Sequence, residues 1–178
     1  MTLQDLVSRG VLVPRTVREK NTKPVVVVCD SETVIEGLCD KRVSRRVIAN
    51  VAGVLVGTPE SDLQSEIGVD PDKVLYEPLQ IAFSNGHRYI LLVVNPDAVW
   101  GIMSEMTNVE LIDHMMQVAR EIRERMPHFE LDCVVVKGTN YGEVYTVNPE
   151  AWTRFYATYE TRVLGRQDDG LELVPATV

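Results

Sequence analysis

"VLYEPLQIAFSNGHRYILLVV", residues 74–94, is the stretch on which the fold turns. Asn85-Gly86 sits between two apolar runs, and this pair supplies the positive φ angles that a tight two-residue turn demands. The reading is a β-hairpin, with 74–84 as one strand and 87–94 as the other. A second hairpin is expected from "FELDCVVVK" (129–137) and "EVYTVN" (143–148). Between the two hairpins, "NPDAVWGIMSEM" (95–106) reads as a turn and a strand, and 107–127 as a helix. In that helix Leu111, Ile112, Met115, Val118, Ala119 and Ile122 form one apolar stripe, with Asn108 placed to cap it and Pro127 to stop it. "PEAWTRFYATYETRVLG" (149–165) is expected to be a closing helix. The sum is an α+β chain: an antiparallel sheet with helices mainly on one face, preceded by a mixed α/β segment.

Working outward to the N-terminus, residues 3–9 suit a short helix with Thr2 as N-cap and Gly10 closing it. "VLVPRTVREKNTKP" (11–24) has prolines near both ends and a basic middle, and reads as an exposed arm. "VVVV" (25–28) has no alternation, as expected of a strand covered on both faces. A helix should begin near Ser31. Val43, Val47, Val51, Val54 and Leu55 fall at helical spacing, with Arg45 and Arg46 on the other side, though the valines leave its end open to a strand reading. The acidic, turn-rich 58–73 is the candidate internal boundary. The expected organisation is therefore an arm over 1–24, one α/β domain over 25–165 and a tail over 166–178.

A chain of 178 residues, 45% apolar and 25% charged, is long and apolar enough to bury a core. Its apolar runs are strand-sized and far short of the roughly 20 residues that span a bilayer, so no membrane association is expected. The N-terminus has no long apolar segment, and Cys29, Cys39 and Cys133 are widely spaced. These features fit buried thiols in a reducing cytoplasm. The net charge of −8 is uneven: residues 1–50 carry +3 and the remainder −11. So acidic a body is a poor partner for nucleic acid, whose affinity is dominated by phosphate attraction.

Asp132 and Asn148 frame the second hairpin, in "LDCVVV" and "VYTVNP". Two oxygen ligands on neighbouring strands would suit Mg²⁺. Asn148-Pro149-Glu150 is equally a helix start, with a capping amide, a proline at the first position and an acid in the first turn, and the cap is the preferred reading. The three histidines are scattered and read as surface residues. The methionines read as core fillers, with Met116 off the main stripe and available to a partner.

From "VLYEPL" through "HRYILLVV", the Met-rich helix, "LDCVVV" and "VYTVNP", residues 74–150 resemble the C-terminal subdomain of ATP-grasp ligases. The resemblance implies that the "LYEPL" strand, with Glu77, holds adenine. It further implies that Asp132, Asn148 and Arg88 hold Mg-ATP. Thr146 stands where that family has a metal-bridging glutamate, and a neutral hydroxyl cannot replace that charge, which points to a degenerate, binding-only relative. A weaker similarity to PD-(D/E)xK nuclease cores fails at "VYTVN", which has neither the acid nor the lysine of that chemistry.

No complete catalytic constellation is present. The leading expectation is a non-catalytic interaction or assembly protein that needs no cofactor and binds a protein partner or itself. Its basic surface would comprise Arg15, Arg18, Lys20, Lys23, Arg42, Arg45 and Arg46. Its packing surface would be the aromatic closing helix, through Trp152, Phe155 and Tyr159. The alternative is the Mg-nucleotide-dependent ligase or its binding-only descendant.

Overall fold

The computed structural model describes residues 1–15, 24–29, 38, 45–48, 70–97, 106–138 and 143–168, with side chains as far as residue 160. The described strands form one six-stranded mixed sheet in the order β1-β6-β5-β4-β2-β3. They are β1 (Leu12–Pro14), β2 (Val25–Val28), β3 (Arg45–Ile48), β4 (Tyr89–Val94), β5 (Glu130–Lys137) and β6 (Glu143–Val147). The helices are α1 (Leu3–Ser8), α2 (Glu77–Ser84), α3 (Asn108–Arg125) and α4 (Pro149–Asp168).

The chain is α+β as expected, but the expected antiparallel sheet is wrong at its centre. β3, β2, β4 and β5 all run parallel, and only β6 on β5 and β1 on β6 are antiparallel. Val25–Val28 and Tyr89–Val94 are buried at every position. Continuous burial is the signature of parallel strands covered on both faces. Each such Val or Leu contributes roughly 1.5–3 kcal/mol by leaving water.

The decisive correction concerns 74–84, which is helical. Asp72–Tyr76 makes a wide π-type turn that runs into α2, with Pro78 in the first turn, where a missing N–H costs nothing. Leu75, Tyr76, Leu79 and Ala82 form its buried stripe. Asn85-Gly86 closes this helix instead of turning a hairpin. The Asn85 N–H donates to the Ile81 and Ala82 carbonyls, and Gly86, at φ +89°, donates to the Phe83 carbonyl. β4 has β2 on one side and β5 on the other, so the sheet offers no place for a hairpin partner.

Crossover geometry explains where the layers lie. The chain steps from β2 out to β3, back across to β4 and on to β5. Right-handed crossovers in opposite directions must use opposite faces of a sheet. Accordingly α2 and α3 pack with Val26, Val28, Ile90, Leu92 and Val94 on one face. Leu38, from the β2–β3 connection, packs with Val25, Val27, Leu91 and Val93 on the other. α1 and α4 join the first face, so the described helices do share one side.

Smaller expectations divide. Thr2 caps α1 in a reciprocal pair with Asp5, as expected. α3 is capped by Thr107 with Glu110, not by Asn108. α4 continues past Gly165 to Asp168. Residues 45–48, expected within a helix, are strand β3, because Arg45–Ile48 pair in register with Val25–Val28. The arm is also partly packed: Val11 and Leu12 are buried, and β1 pairs with β6. Met116 is buried in the core, and so is His87, expected at the surface. The helix near Ser31, the strand within 98–105 and most of the 58–73 boundary lie outside the described residues.

Candidate interaction surface

α4 is the element that builds the surface, and Asn148 launches it. The Asn148 Oδ1 accepts hydrogen bonds from the Glu150 and Ala151 N–H groups, each at 3.1 Å. Pro149 has no N–H and the Asn148 N–H donates to the Val11 carbonyl, so this cap satisfies the two donors that remain at the helix start. The amide oxygen that a metal would need is engaged in this cap.

Along α4 the aromatic residues form a ladder. Ring centroids lie 5.7 Å apart for Trp152–Phe155, 5.2 Å for Trp152–Tyr156 and 5.6 Å for Phe155–Tyr159. These are favourable offset or tilted spacings. Trp152 is buried and anchors the helix on the sheet, whereas Phe155 and Tyr159 are only half-buried.

A groove lies on each flank of α4. Between α1 and α4, about 470 Å³ is lined by Met1, Arg9, Arg154, Phe155 and Tyr159. The Arg9 guanidinium sits 5.8 Å from the Phe155 ring centre, within cation–π range. Between α3 and α4, about 670 Å³ is lined by Asp113, Glu121, Glu124 and Glu160, with Arg120 and Tyr156. The Tyr156 hydroxyl is pushed up to about 12 by partial burial and then by the Asp113 carboxylate. One flank is thus cationic and aromatic, the other strongly anionic.

On the opposite face of the sheet, Tyr89 donates its hydroxyl to the Asp132 carboxylate. The Arg15 guanidinium stands 3.8 Å from the same oxygen, its side chain only 9% exposed. Burial, reinforced by the Asp132 hydrogen bond and charge, pushes the Tyr89 hydroxyl up to about 12. Asp132 is therefore held by a phenol and a guanidinium.

At the carboxyl ends of the parallel strands, Asn95 and Asp97 follow β4. Asp97 Oδ2 accepts from the Gly138 N–H at 2.9 Å, and Asn95 Oδ1 accepts from the Asp97 N–H at 2.9 Å. This corner lies beside the point where the strand order reverses, between β2 and β4.

The residues expected to act together are dispersed. Arg88 stacks on Phe83, with its guanidinium carbon 3.7 Å from the ring centre, and donates to the Phe83 and His87 carbonyls, each at 2.7 Å. Glu77 is an exposed residue at the start of α2, where the resemblance implied a strand. Arg15 is buried against Asp132 instead of reaching into solvent, and Arg45 and Arg46 belong to β3. Arg18, Lys20, Lys23 and Arg42 lie outside the described residues. Arg9 and Arg154 were not singled out from the sequence. Arg154 was legible on the same α4 stripe as Ala151 and Thr158, at i−3 and i+4, whereas only the packing of α1 brings Arg9 to the groove.

Among the described residues, no cluster of three or more His, Cys, Asp or Glu side chains is arranged to hold a metal, and no helix is long and apolar enough to cross a membrane. Comparison with family models, curated proteins and solved structures finds no match to the chain.

Proposed function

We propose that this chain is a non-catalytic interaction protein that takes an acidic protein surface against the face formed by α1 and α4. One observation carries the reading: two half-buried aromatic rings, Phe155 and Tyr159, line a groove bordered by Arg9 and Arg154. Aromatic and arginine side chains are the types that dominate binding energy at protein interfaces. The side chains singled out for nucleotide chemistry support this indirectly, since Asn148 caps a helix, Arg88 clamps the end of α2 and Asp132 pairs with Arg15. The experiment is fluorescence anisotropy with a labelled peptide of alternating glutamate and phenylalanine. Binding should be lost in R154E and in F155A/Y159A, and a lysine-phenylalanine peptide should not bind. Equal binding of both peptides, or full binding by R154E, refutes the reading.

A second reading is favoured by topology alone. Open sheets with parallel strands bind ligands outside the strands' carboxyl ends where the order reverses, here beside Asn95 and Asp97. A Mg-nucleotide there would raise stability by about 2.7 kcal/mol at 100 times its Kd. Thermal unfolding with and without Mg-ATP tests it, and an unchanged midpoint removes it.

A further inference from the structure

We infer that the acidic surface received by the α1–α4 face is the α3–α4 groove of a second copy of this chain, so that copies join head to tail. The inference rests on the interaction reading above and names its partner. Charge complementarity carries it. Arg9 and Arg154 border one flank of α4, while among the described residues Asp113, Glu121, Glu124 and Glu160 line the other with Arg120. Both grooves use α4 as one wall, so the two charged surfaces lie on opposite flanks of one helix. A net charge of −8 makes copies repel in most orientations. An approach that sets the arginine-aromatic groove on the four carboxylates exchanges that repulsion for attraction, which selects one register of contact.

The contact is heterologous, because the surface given differs from the surface received. Such a contact closes into a ring or extends as a filament, according to the rotation between successive copies. Phe155 and Tyr159 would supply the apolar part of the interface, and the carboxylates across from them would pair with Arg9 and Arg154.

Sedimentation velocity of the full chain over a concentration series tests this. The wild type should show concentration-dependent growth beyond a dimer. R154E and the double variant E121K/E124K should each weaken association by about tenfold or more, since each converts an attractive charge contact into a repulsive one. Arg154 and Glu124 are exposed and Glu121 is half-buried, so circular dichroism of each variant must match the wild type for the comparison to count, and E124K alone serves where the double variant does not. A mixture of the two variants is the sharper test. R154E keeps a working acidic groove and E121K/E124K keeps a working basic one, so together they should associate where neither does alone. A monomeric wild type, an R154E that assembles normally, or a mixture that stays monomeric overturns the inference. If the acidic peptide still binds a monomeric wild type, the α1–α4 face stands as a binding surface and self-assembly alone falls.

Discussion

Replacing Asn148 by alanine removes the acceptor of two backbone N–H groups at the start of α4 and leaves the rest of the helix intact. The Ala151 N–H is partly buried and the Glu150 N–H exposed, both bonded at 3.1 Å. A net hydrogen bond contributes about 0.5–1.5 kcal/mol, and the exposed donor regains water, so the sum is about 1.5 kcal/mol. This agrees with the roughly 0.5–2 kcal/mol range of N-cap losses. For a chain of this size the melting temperature should fall by about 3–6 °C. Urea unfolding followed by far-UV circular dichroism should show a lower midpoint at unchanged slope. Asn148→Asp is the control, because aspartate caps as well and places its charge favourably at the helix start. The reasoning fails if alanine costs nothing, or if aspartate is as damaging as alanine. It also fails if Mg²⁺ stabilises the wild type but not N148A, because the amide would then be serving a ligand.

Asp132→Ala strands the Arg15 guanidinium, whose buried Nη1 has no hydrogen-bond partner among the described residues. Breaking a fully buried pair costs roughly 3–5 kcal/mol, but Asp132 is 43% exposed, so about 1–3 kcal/mol is expected by urea unfolding. Tyr89, raised from 10.0 to about 12 in the fold, contributes stability that is complete below pH 10 and lost as pH rises towards 12. Absorbance titration of the phenolate band should show Tyr89 and Tyr156 titrating late, and Y89F should remove one of these two late components. Glu110 is held below its usual 4.5 by hydrogen bonds from Thr107. Its contribution is therefore present above pH 4.5 and lost as pH falls through the lowered value, and E110Q should flatten that part of the acid unfolding profile. Burial pushes the Cys133 thiol up to about 12. Its labelling by a disulfide reagent should require unfolding, and rapid native labelling of Cys133 would contradict its place in the core.

What could be read from the sequence was local. Thr2 with Asp5, the α3 stripe, the unbroken Val25–Val28 run, the β5–β6 hairpin and the Asn148 cap each depend on residues close in the chain. Their hydrogen bonds and apolar periods can be counted without knowing the rest of the fold. On that basis the sequence by itself determined the α+β class and the launching of α4. Tertiary structure decided the identity of 74–84 and the direction of the central strands. Asn-Gly offers positive φ equally to a hairpin turn and to a helix end, and the choice fell to the sheet, where β2 and β5 occupy both sides of β4. Val47 suits helix or strand, and the pairing of Arg45–Ile48 with Val25–Val28 settled this segment as strand. The candidate surface lay beyond local reading for the same reason. Arg9 and Arg154 are far apart in the chain, and only the packing of α1 and α4 on one face of the sheet brings their charges to the same aromatic groove.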